Sequence, residues 1–367
     1  MAIVNTHYGF CAKGGAAVKF TYTGEYNVRD DGVVELLTSG TIVFLEPKVI
    51  DLFMVGGGGA GGAHQTTSSS AGYGGGGGGY TRTLRRISVN KSTSIPVVVG
   101  DGGTTGAGKA SSFNEYTVNG GFNNNGTAGA SGGSGGGGGT TANSDGGVGG
   151  SDGGNGEAGG NNSGMAGIGQ RFTTREFGES TGKLYAGGGG GGRYLYGDNP
   201  VVSLGGAGGG GSGGWASPTG TQNAAAGVAN TGGGGGGEAV NSAIIPGIGA
   251  AGSGGSGIVC VREAAELPEL AGTWVLNNRL YAPASDISQY ADFTATYGSS
   301  TINCTRAQIT DTKVIITSDK ARAITIYTFS DNSWTSGSKY GTWTFPEGAT
   351  ASDEFRAWLA SNATKQS

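Results

Sequence analysis

Residues 50–62 read IDLFMVGGGGAGG, and this stretch decides how the rest of the chain is interpreted. Five of its first six side chains are apolar, as in a buried β-strand, and the strand then runs directly into glycine. Of the 83 glycines in the 367-residue chain, 72 lie between Gly56 and Gly257, six lie before that block and five lie after it. The composition therefore predicts three unlike pieces and not one uniform glycine-rich linker.

The low charge of the chain limits its function class. Only 13% of the residues are charged and the net charge is −4, whereas disordered segments usually combine few apolar residues with a high net charge. The chain is not basic, so we expect no nucleic-acid partner. We also expect no membrane insertion, since no apolar run reaches 18 residues, and no signal peptide, since no basic region precedes a long apolar core.

Few residues could hold a metal ion or a cofactor. The three cysteines, Cys11, Cys260 and Cys304, form no CxxC pair, and only His7 and His64 supply imidazole. We therefore expect no disulfide framework, no metal site and no cofactor. Cys260 alternates within an apolar strand, which predicts a packed, small apolar side chain.

Strand patterns flank the glycine block. VKFTYTGEYNVR (18–29) contains a Thr-Gly turn, and VVELL and TIVFLE lie on either side of residues 38–40, so both stretches are predicted hairpins. Further strands are predicted at 80–89, 94–100 and 256–263. One sheet can be assembled only if the strands before and after the glycine block pair with each other. This pattern predicts an all-β fold in which the glycines form a long insertion into a β-sandwich.

The insertion is too long to be an unstructured loop in a compact domain. A polyproline-II-type chain has three residues per turn, rises ~3.1 Å per residue and leaves its amide groups pointing outward. Without side chains, such rods can approach closely and hydrogen-bond to one another. We therefore predict a slab of rods packed side by side, formed by the runs 74–79, 135–139, 187–192, 208–211 and 232–237.

The composition changes again after residue 263. EAAELPEL suggests a linker at 264–270, and residues 271–367 read as a small β-meander domain with one terminal helix. In that helix, Phe355, Trp358 and Leu359 form an i, i+3, i+4 stripe. The tryptophans of this domain are expected in its core more than on a sugar-binding platform.

The order of several motifs resembles the glycine-rich domain of phage and prophage tail proteins. The motifs are SGTIVF, VIDLFMVGGGGAGG, GYGGGGGGYTRT, IPVVVGDGG and GGSGIVCVRE, and the segment before them resembles a hairpin that often precedes the domain. The resemblance implies a jelly-roll-like β-sandwich with a large polyglycine-II insertion at 33–263, preceded by an N-terminal hairpin at 1–32. We expect the extreme N-terminus to attach to the virion. The resemblance also implies glycine rods that present loops to the host surface, as in tail-fibre adhesins of T-even-like phages.

Three enzyme-like or ion-binding patterns have simpler explanations. Gly103, Gly108 and Lys109 fit a phosphate-binding loop, but Ala110 replaces the required Ser or Thr and no helix pattern follows. Residues 146–157 only approximate a calcium-binding repeat. The acids Asp30, Asp31 and Asp286 suit turns better than glycoside hydrolysis, so we expect no enzyme.

Aromatic and arginine side chains between the glycine runs are the candidate receptor-binding residues. Tyr, Trp and Arg dominate binding hot spots, and loops on a rigid scaffold commonly carry function. The alternative for each is a structural role, in which it covers an edge of the slab. The candidates are Arg171, Phe172, Arg175, Phe177, Arg193, Tyr194, Tyr196 and Trp215.

Together these patterns favour a non-enzymatic phage tail component that adheres to a host cell-surface receptor, either a glycan or a protein. The expected partners are that receptor, other tail proteins and further copies of the chain, with a trimer as one arrangement. The expected location is the virion tail, assembled in the host cytoplasm. Two alternatives stay open: a purely structural virion protein that decorates or spaces the tail or capsid, and a secreted bacterial surface adhesin.

Overall fold

The computed structural model forms two compact units, residues 1–264 and residues 265–367, and each is described by itself. The structure describes residues 5–7, 18–64, 70–123, 126–140, 145–150, 174–179, 181–194, 202–241, 250–276, 287–289, 293–297, 300–309, 313–318, 323–330, 333–336, 342–349, 351 and 353–366.

The first unit is built from short strands and one 3-10 turn at Glu176–Gly178. The strands are β1 (Asn5–His7), β2 (Phe20–Tyr22), β3 (Tyr26–Val28), β4 (Val34–Leu36), β5 (Gly40–Phe44), β6 (Lys48–Val55), β7 (Ala71–Gly72), β8 (Thr81–Val89), β9 (Ser94–Val98), β10 (Ser111–Phe113), β11 (Tyr116–Val118), β12 (Arg193–Tyr194), β13 (Trp215–Ser217), β14 (Gly220–Gln222), β15 (Ala239–Val240) and β16 (Ile258–Glu263).

Two antiparallel sheets face each other as a sandwich. One has the strand order β1-β2-β5-β9-β10-β11 and the other has the order β3-β4-β16-β6-β8. Their inner faces share one core, in which Phe20 and Phe44 of the first sheet and Leu52, Met54 and Val259 of the second are fully buried. The predicted all-β fold with a β-sandwich is confirmed.

The strands on either side of the glycine block pair with each other, as predicted. β16 lies antiparallel to β6, in a register that places Ile258 opposite Val55 and Glu263 opposite Ile50. The chain therefore leaves the sandwich at Gly56 and returns to the neighbouring position at Gly257. Cys260 is buried in β16, which confirms its expected structural role.

The two predicted hairpins are wrong. β2 belongs to the first sheet and β3 to the second, and β4 and β5 are divided in the same way. Each turn is a corner that crosses between the sheets. The two corners touch: a Cβ added to Gly24 would lie 2.8 Å from the carbonyl oxygen of Ser39, and one added to Gly40 would lie 2.6 Å from the amide nitrogen of Gly24. Residues 18–32 are thus an integral part of the sandwich, because β2 is a strand of one sheet and β3 is a strand of the other.

The glycine segments bond laterally through their amides, with a period of three residues. The backbone amides of residues 56–62 donate hydrogen bonds to three neighbouring segments in turn, so every third amide bonds to the same segment. The bonds run from Gly56, Gly59 and Gly62 to Tyr80, Gly77 and Gly74, from Gly57 and Ala60 to Lys109 and Gly106, and from Gly58 and Gly61 to Gly255 and Gly252. The predicted lateral hydrogen bonding of the glycine runs is therefore observed.

Close approach explains why these positions are glycine. A Cβ added to Gly58 would lie 2.0 Å from the carbonyl oxygen of Gly233, and one added to Gly59 would lie 2.0 Å from that of Phe122. Neither contact could be relieved by a side-chain rotation, since both obstacles are backbone atoms. The slab is held by backbone hydrogen bonds at a spacing that excludes side chains.

The run 208–211 differs from the others. Gly208 and Gly209 have φ values of 99° and 95°, and they form a turn. This run was predicted as a straight rod, and that prediction is wrong. Both residues adopt the positive φ that glycine tolerates, so at these positions glycine allows the chain to turn.

The second unit contains one sheet of order β23-β22-β21-β20-β19-β24-β17-β25, with β18 paired to β20. Its elements are β17 (Gly272–Leu276), β18 (Ile287–Gln289), β19 (Phe293–Tyr297), β20 (Ser300–Ile309), β21 (Lys313–Ser318), β22 (Ala323–Ser330), β23 (Ser333–Ser336), β24 (Thr342–Phe345), α1 (Asp353–Asn362) and β25 (Ala363–Lys365).

The apolar stripe of α1 is buried, as its spacing predicts. Phe355 and Leu359 are fully buried, and the ring of Phe355 stacks on that of Trp343 with centroids 6.3 Å apart. Trp274, Trp343 and Trp358 belong to this buried set, so their expected core role is confirmed. The helix does not end the fold, because β25 follows it and pairs with β17.

Candidate functional site

The hydrogen-bond ladders show which end of each glycine segment lies away from the sandwich. Gly56 bonds to Tyr80, at the start of sandwich strand β8, while Gly62 bonds to Gly74 at the other end of the same ladder. Residues 62–64 and 71–74 therefore lie at the end of the slab opposite the sandwich. We call this end the distal end.

Three further segments reach the distal end. The amide of Gly192 donates to the carbonyl of Tyr73, and the amide of Tyr73 donates to the carbonyl of Glu238. The amide of Thr140 in turn donates to the carbonyl of Gly192. The ends of runs that are far apart in sequence thus meet at one place.

A small three-stranded sheet, β12-β13-β14, forms part of the distal end. β12 pairs in parallel with β13, placing Arg193 beside Trp215, and β14 pairs antiparallel, placing Gln222 on the other side of Trp215. Directly paired residues project from the same face of a sheet. Arg193, Trp215 and Gln222 therefore form a row on one face, which we call the Trp215 row.

The indole of Trp215 is held in one orientation. Its Nε1–H donates to Oε1 of Gln222 at 2.6 Å, and its ring carbons lie 3.5 and 3.8 Å from the position that a Cβ on Gly220 would occupy. The ring therefore lies along the β13-β14 hairpin, over a residue without a side chain. The indole is partly exposed, and Gln222 is exposed beside it.

Arg193 contributes a guanidinium group to the same row. Its backbone amide donates to the carbonyl of Gly214 at 2.9 Å, which fixes the start of β12. Its Nε atom is buried and has no hydrogen-bond partner among the residues that the structure describes. An unsatisfied buried donor is costly, while the residue as a whole is only partly buried.

Tyr194 lies on the opposite face of this sheet. It is paired with Ala216, which is fully buried, so this face is turned toward the slab. The backbone of Tyr194 is clamped by Thr140, whose Oγ1 accepts a hydrogen bond from the Tyr194 amide at 2.7 Å. Tyr194 and Trp215 are therefore close in space but do not share one contact surface.

A buried acid, which the sequence analysis did not single out, ties two distal segments together. Glu238 accepts a hydrogen bond from the backbone amide of His64 at 2.8 Å, and its Oε1 lies 2.9 Å from His64 Nδ1. Its side chain is 3% exposed, and burial raises the pKa of its carboxyl group. A lone Glu after a glycine run gives no sequence signal for this contact.

Phe177 was predicted as a receptor-binding residue, and that prediction is wrong. The side chain is buried on the outer face of the β3-β4-β16-β6-β8 sheet, where its ring lies 6.2 Å from that of Phe53. The guanidinium of Arg262 covers its other side at 4.1 Å from the ring centroid. Nearby, Arg175 donates from Nη1 to the carbonyl of Gly182 at 2.7 Å, so its guanidinium stabilises the turn that follows Phe177.

Ion pairs fasten the same segment to the sandwich. Arg29 bonds Glu176 at 2.7 Å, and Arg262 bonds both Glu179 at 2.6 Å and the buried Asp51 at 3.2 Å. Partners that are 147 and 83 residues apart could not be paired from sequence spacing. The remaining candidates, Arg171, Phe172 and Tyr196, lie outside the described residues.

The enzyme-like patterns gain no further support. Lys109 pairs with Asp101 at 2.7 Å and is followed by strand β10, where a phosphate-binding loop would require a helix. Asp31 is bonded to Arg29, and Asp286 lies outside the described residues. Within the described part of the chain, no group of three or more acids, histidines or cysteines is placed to hold a metal ion. The helix found there is too short and too polar to cross a membrane.

A family model described as a glycine-rich domain matches residues 38–264. The match begins before β5 and ends one residue after β16, so it covers both the glycine slab and most of the sandwich strands. No curated protein and no solved structure matches the chain.

Proposed function

Since this chain belongs to the family of the glycine-rich domain, we propose that it is a non-enzymatic component of a phage tail that attaches the particle to its host. The slab is the scaffold and the distal end is the contact surface. The glycine segments act as polyglycine-II rods. This assignment is supported by their hydrogen bonds, in which every third amide donates to the same neighbouring segment, as expected for three residues per turn.

One observation carries the proposal: the ladders bring the Trp215 row to the end of the slab that is opposite the sandwich. A rigid scaffold that ends in an aromatic and arginine surface suits adhesion better than it suits a spacer. Several copies per particle would multiply weak individual contacts. The receptor is a glycan or a protein on the host surface, and the site of action is the virion tail.

Adsorption of the fluorescently labelled full chain to a panel of enteric bacteria tests this function. We expect binding to some strains and its loss in Trp215→Ala, while Phe122→Ala binds as the unchanged chain does. Phe122 is a matched control, since it is an exposed aromatic whose ring lies 6.4 Å from that of Tyr80 near the sandwich. Absence of binding to every strain, together with incorporation into particles, would favour the structural spacer instead.

A further inference from the structure

We propose that the Trp215 row is a subsite for a sugar that bears a carboxylate group. This inference rests on the proposed function, since it names the chemistry of the receptor that the distal end recognises. The row combines an aromatic face, a cation and an exposed amide on three adjacent strands.

The indole supplies the stacking surface. An aromatic face carries a negative quadrupole, which attracts the polarised C–H groups on one side of a pyranose ring. The bond to Gln222 and the contact over Gly220 fix the ring before any ligand arrives. Pre-organisation of this kind lowers the entropic cost of binding. The amide nitrogen of Gln222 is left to donate to a sugar hydroxyl.

Arg193 determines the charge of the ligand. It lies directly beside Trp215 in the register, and its side chain forms no ion pair or hydrogen bond with any residue that the structure describes. The buried acid at this end, Glu238, already bonds His64. A planar guanidinium binds carboxylates through two parallel bonds, so the ligand expected beside a stacked ring is a carboxylate on that ring. A neutral sugar would offer no negative charge to this guanidinium.

Two matched ligand pairs test this inference on the full chain. Methyl galacturonide and methyl galactoside differ only in the carboxylate at C6, and the same holds for methyl glucuronide and methyl glucoside. Titrations followed by NMR or calorimetry would compare the unchanged chain with Trp215→Ala, Arg193→Gln and the control Arg82→Gln. Arg82 is half-buried on strand β8 of the sandwich, and the amide spectrum of each variant verifies its fold.

We expect at least one uronide to bind about tenfold more tightly than its neutral partner, the size of effect that one charged hydrogen bond produces. Arg193→Gln should remove that difference, Trp215→Ala should remove binding of both partners, and Arg82→Gln should change neither. Equal affinity within both pairs, no binding of any of the four sugars, or an unchanged preference in Arg193→Gln would overturn the inference. If Trp215-dependent adsorption to bacteria persists in those cases, the proposed function stands and only the ligand class fails.

Discussion

At the scale of single residues, the space around each glycine matters more than its flexibility. Most glycines of the slab have no positive φ, yet an added Cβ would lie far inside van der Waals contact with a backbone oxygen, as at Gly58, where the distance would be 2.0 Å. Gly106 is an exception, because nothing lies within 4 Å of the position that its Cβ would occupy. A Cβ should therefore be excluded at Gly58 and tolerated at Gly106.

We expect Gly58→Ala to destabilise the first unit by about 1–3 kcal/mol or more, because overpacking against backbone cannot be relieved locally. Gly106→Ala should stay within about 0.5 kcal/mol of the unchanged chain. Denaturant unfolding of both variants provides the measurement. Similar stabilities for the two would show that the tight spacing of the slab is not what requires glycine.

Phe177→Ala should lower the free energy of unfolding by about 3–5 kcal/mol, since it empties a buried site between Phe53 and Arg262. Phe122→Ala, at an exposed ring, should cost no more than about 1 kcal/mol. At temperatures where both variants stay folded, neither should alter adsorption to bacteria. A folded Phe177→Ala chain that fails to adsorb would return this residue to the receptor-binding set.

Sequence reasoning at this scale succeeded where the local pattern carried the information. The alternation around Cys260 and the helical stripe of Phe355 predicted burial correctly. It failed for Phe177, because the glycine-rich surroundings resemble a surface loop and the partner Phe53 is distant in sequence. The Glu238 and His64 contact was missed for the same reason.

At the scale of elements, one hydroxyl holds the edge of the distal sheet. Thr140 Oγ1 accepts from the amide of Tyr194 and is placed to donate to its carbonyl, 3.5 Å away. Strand β12 is only two residues long, so this side chain replaces part of a neighbouring strand. The position of Arg193 in the Trp215 row depends on it.

Thr140→Val keeps the shape of the side chain and removes the hydroxyl. We expect faster hydrogen exchange at the Tyr194 amide, by about tenfold, which corresponds to one ordinary hydrogen bond. Thr221→Val on strand β14, where the side chain is exposed, is the control and should leave that amide unchanged. Unaltered exchange in Thr140→Val would mean that β12 is held by other contacts.

The strands could be placed from the sequence, but their partners only in part. The pairing of β6 with β16 followed from the two composition boundaries, since no other arrangement closes the sheet. The corners at Gly24 and Gly40 were misjudged, because a turn signal marks a reversal of the chain without saying which sheet the next strand joins.

At the scale of the whole molecule, the chain consists of two units with different sources of stability. The first unit combines an apolar sandwich core with a backbone-bonded slab, while the second has its own aromatic core around Trp343. Units with separate cores are expected to unfold separately.

Scanning calorimetry of the full chain should therefore show two transitions, and a chain ending at residue 264 should keep one of them at an unchanged midpoint. The adsorption of that shortened chain should equal that of the full chain, because the Trp215 row lies in the first unit. A single transition that shifts on truncation would contradict the independence of the units.

The order of the slab could be predicted from the sequence, but the identity of each segment's neighbours could not. Side chains encode register by size and charge, and a glycine run carries neither. The neighbours of a glycine run are determined by the positions at which the flanking strands and turns begin and end, as at Gly56, Tyr80 and Gly257.

The central claim is that the glycine block is an ordered lattice of laterally bonded backbone segments. Hydrogen exchange measured by mass spectrometry on peptides covering 56–62, 74–79 and 232–237 tests it most directly. We expect protection comparable to that of β6 and β16, because these amides are buried and bonded to neighbouring segments. Exchange at the rate of an unstructured peptide in these three stretches would contradict the lattice and the distal surface that it supports.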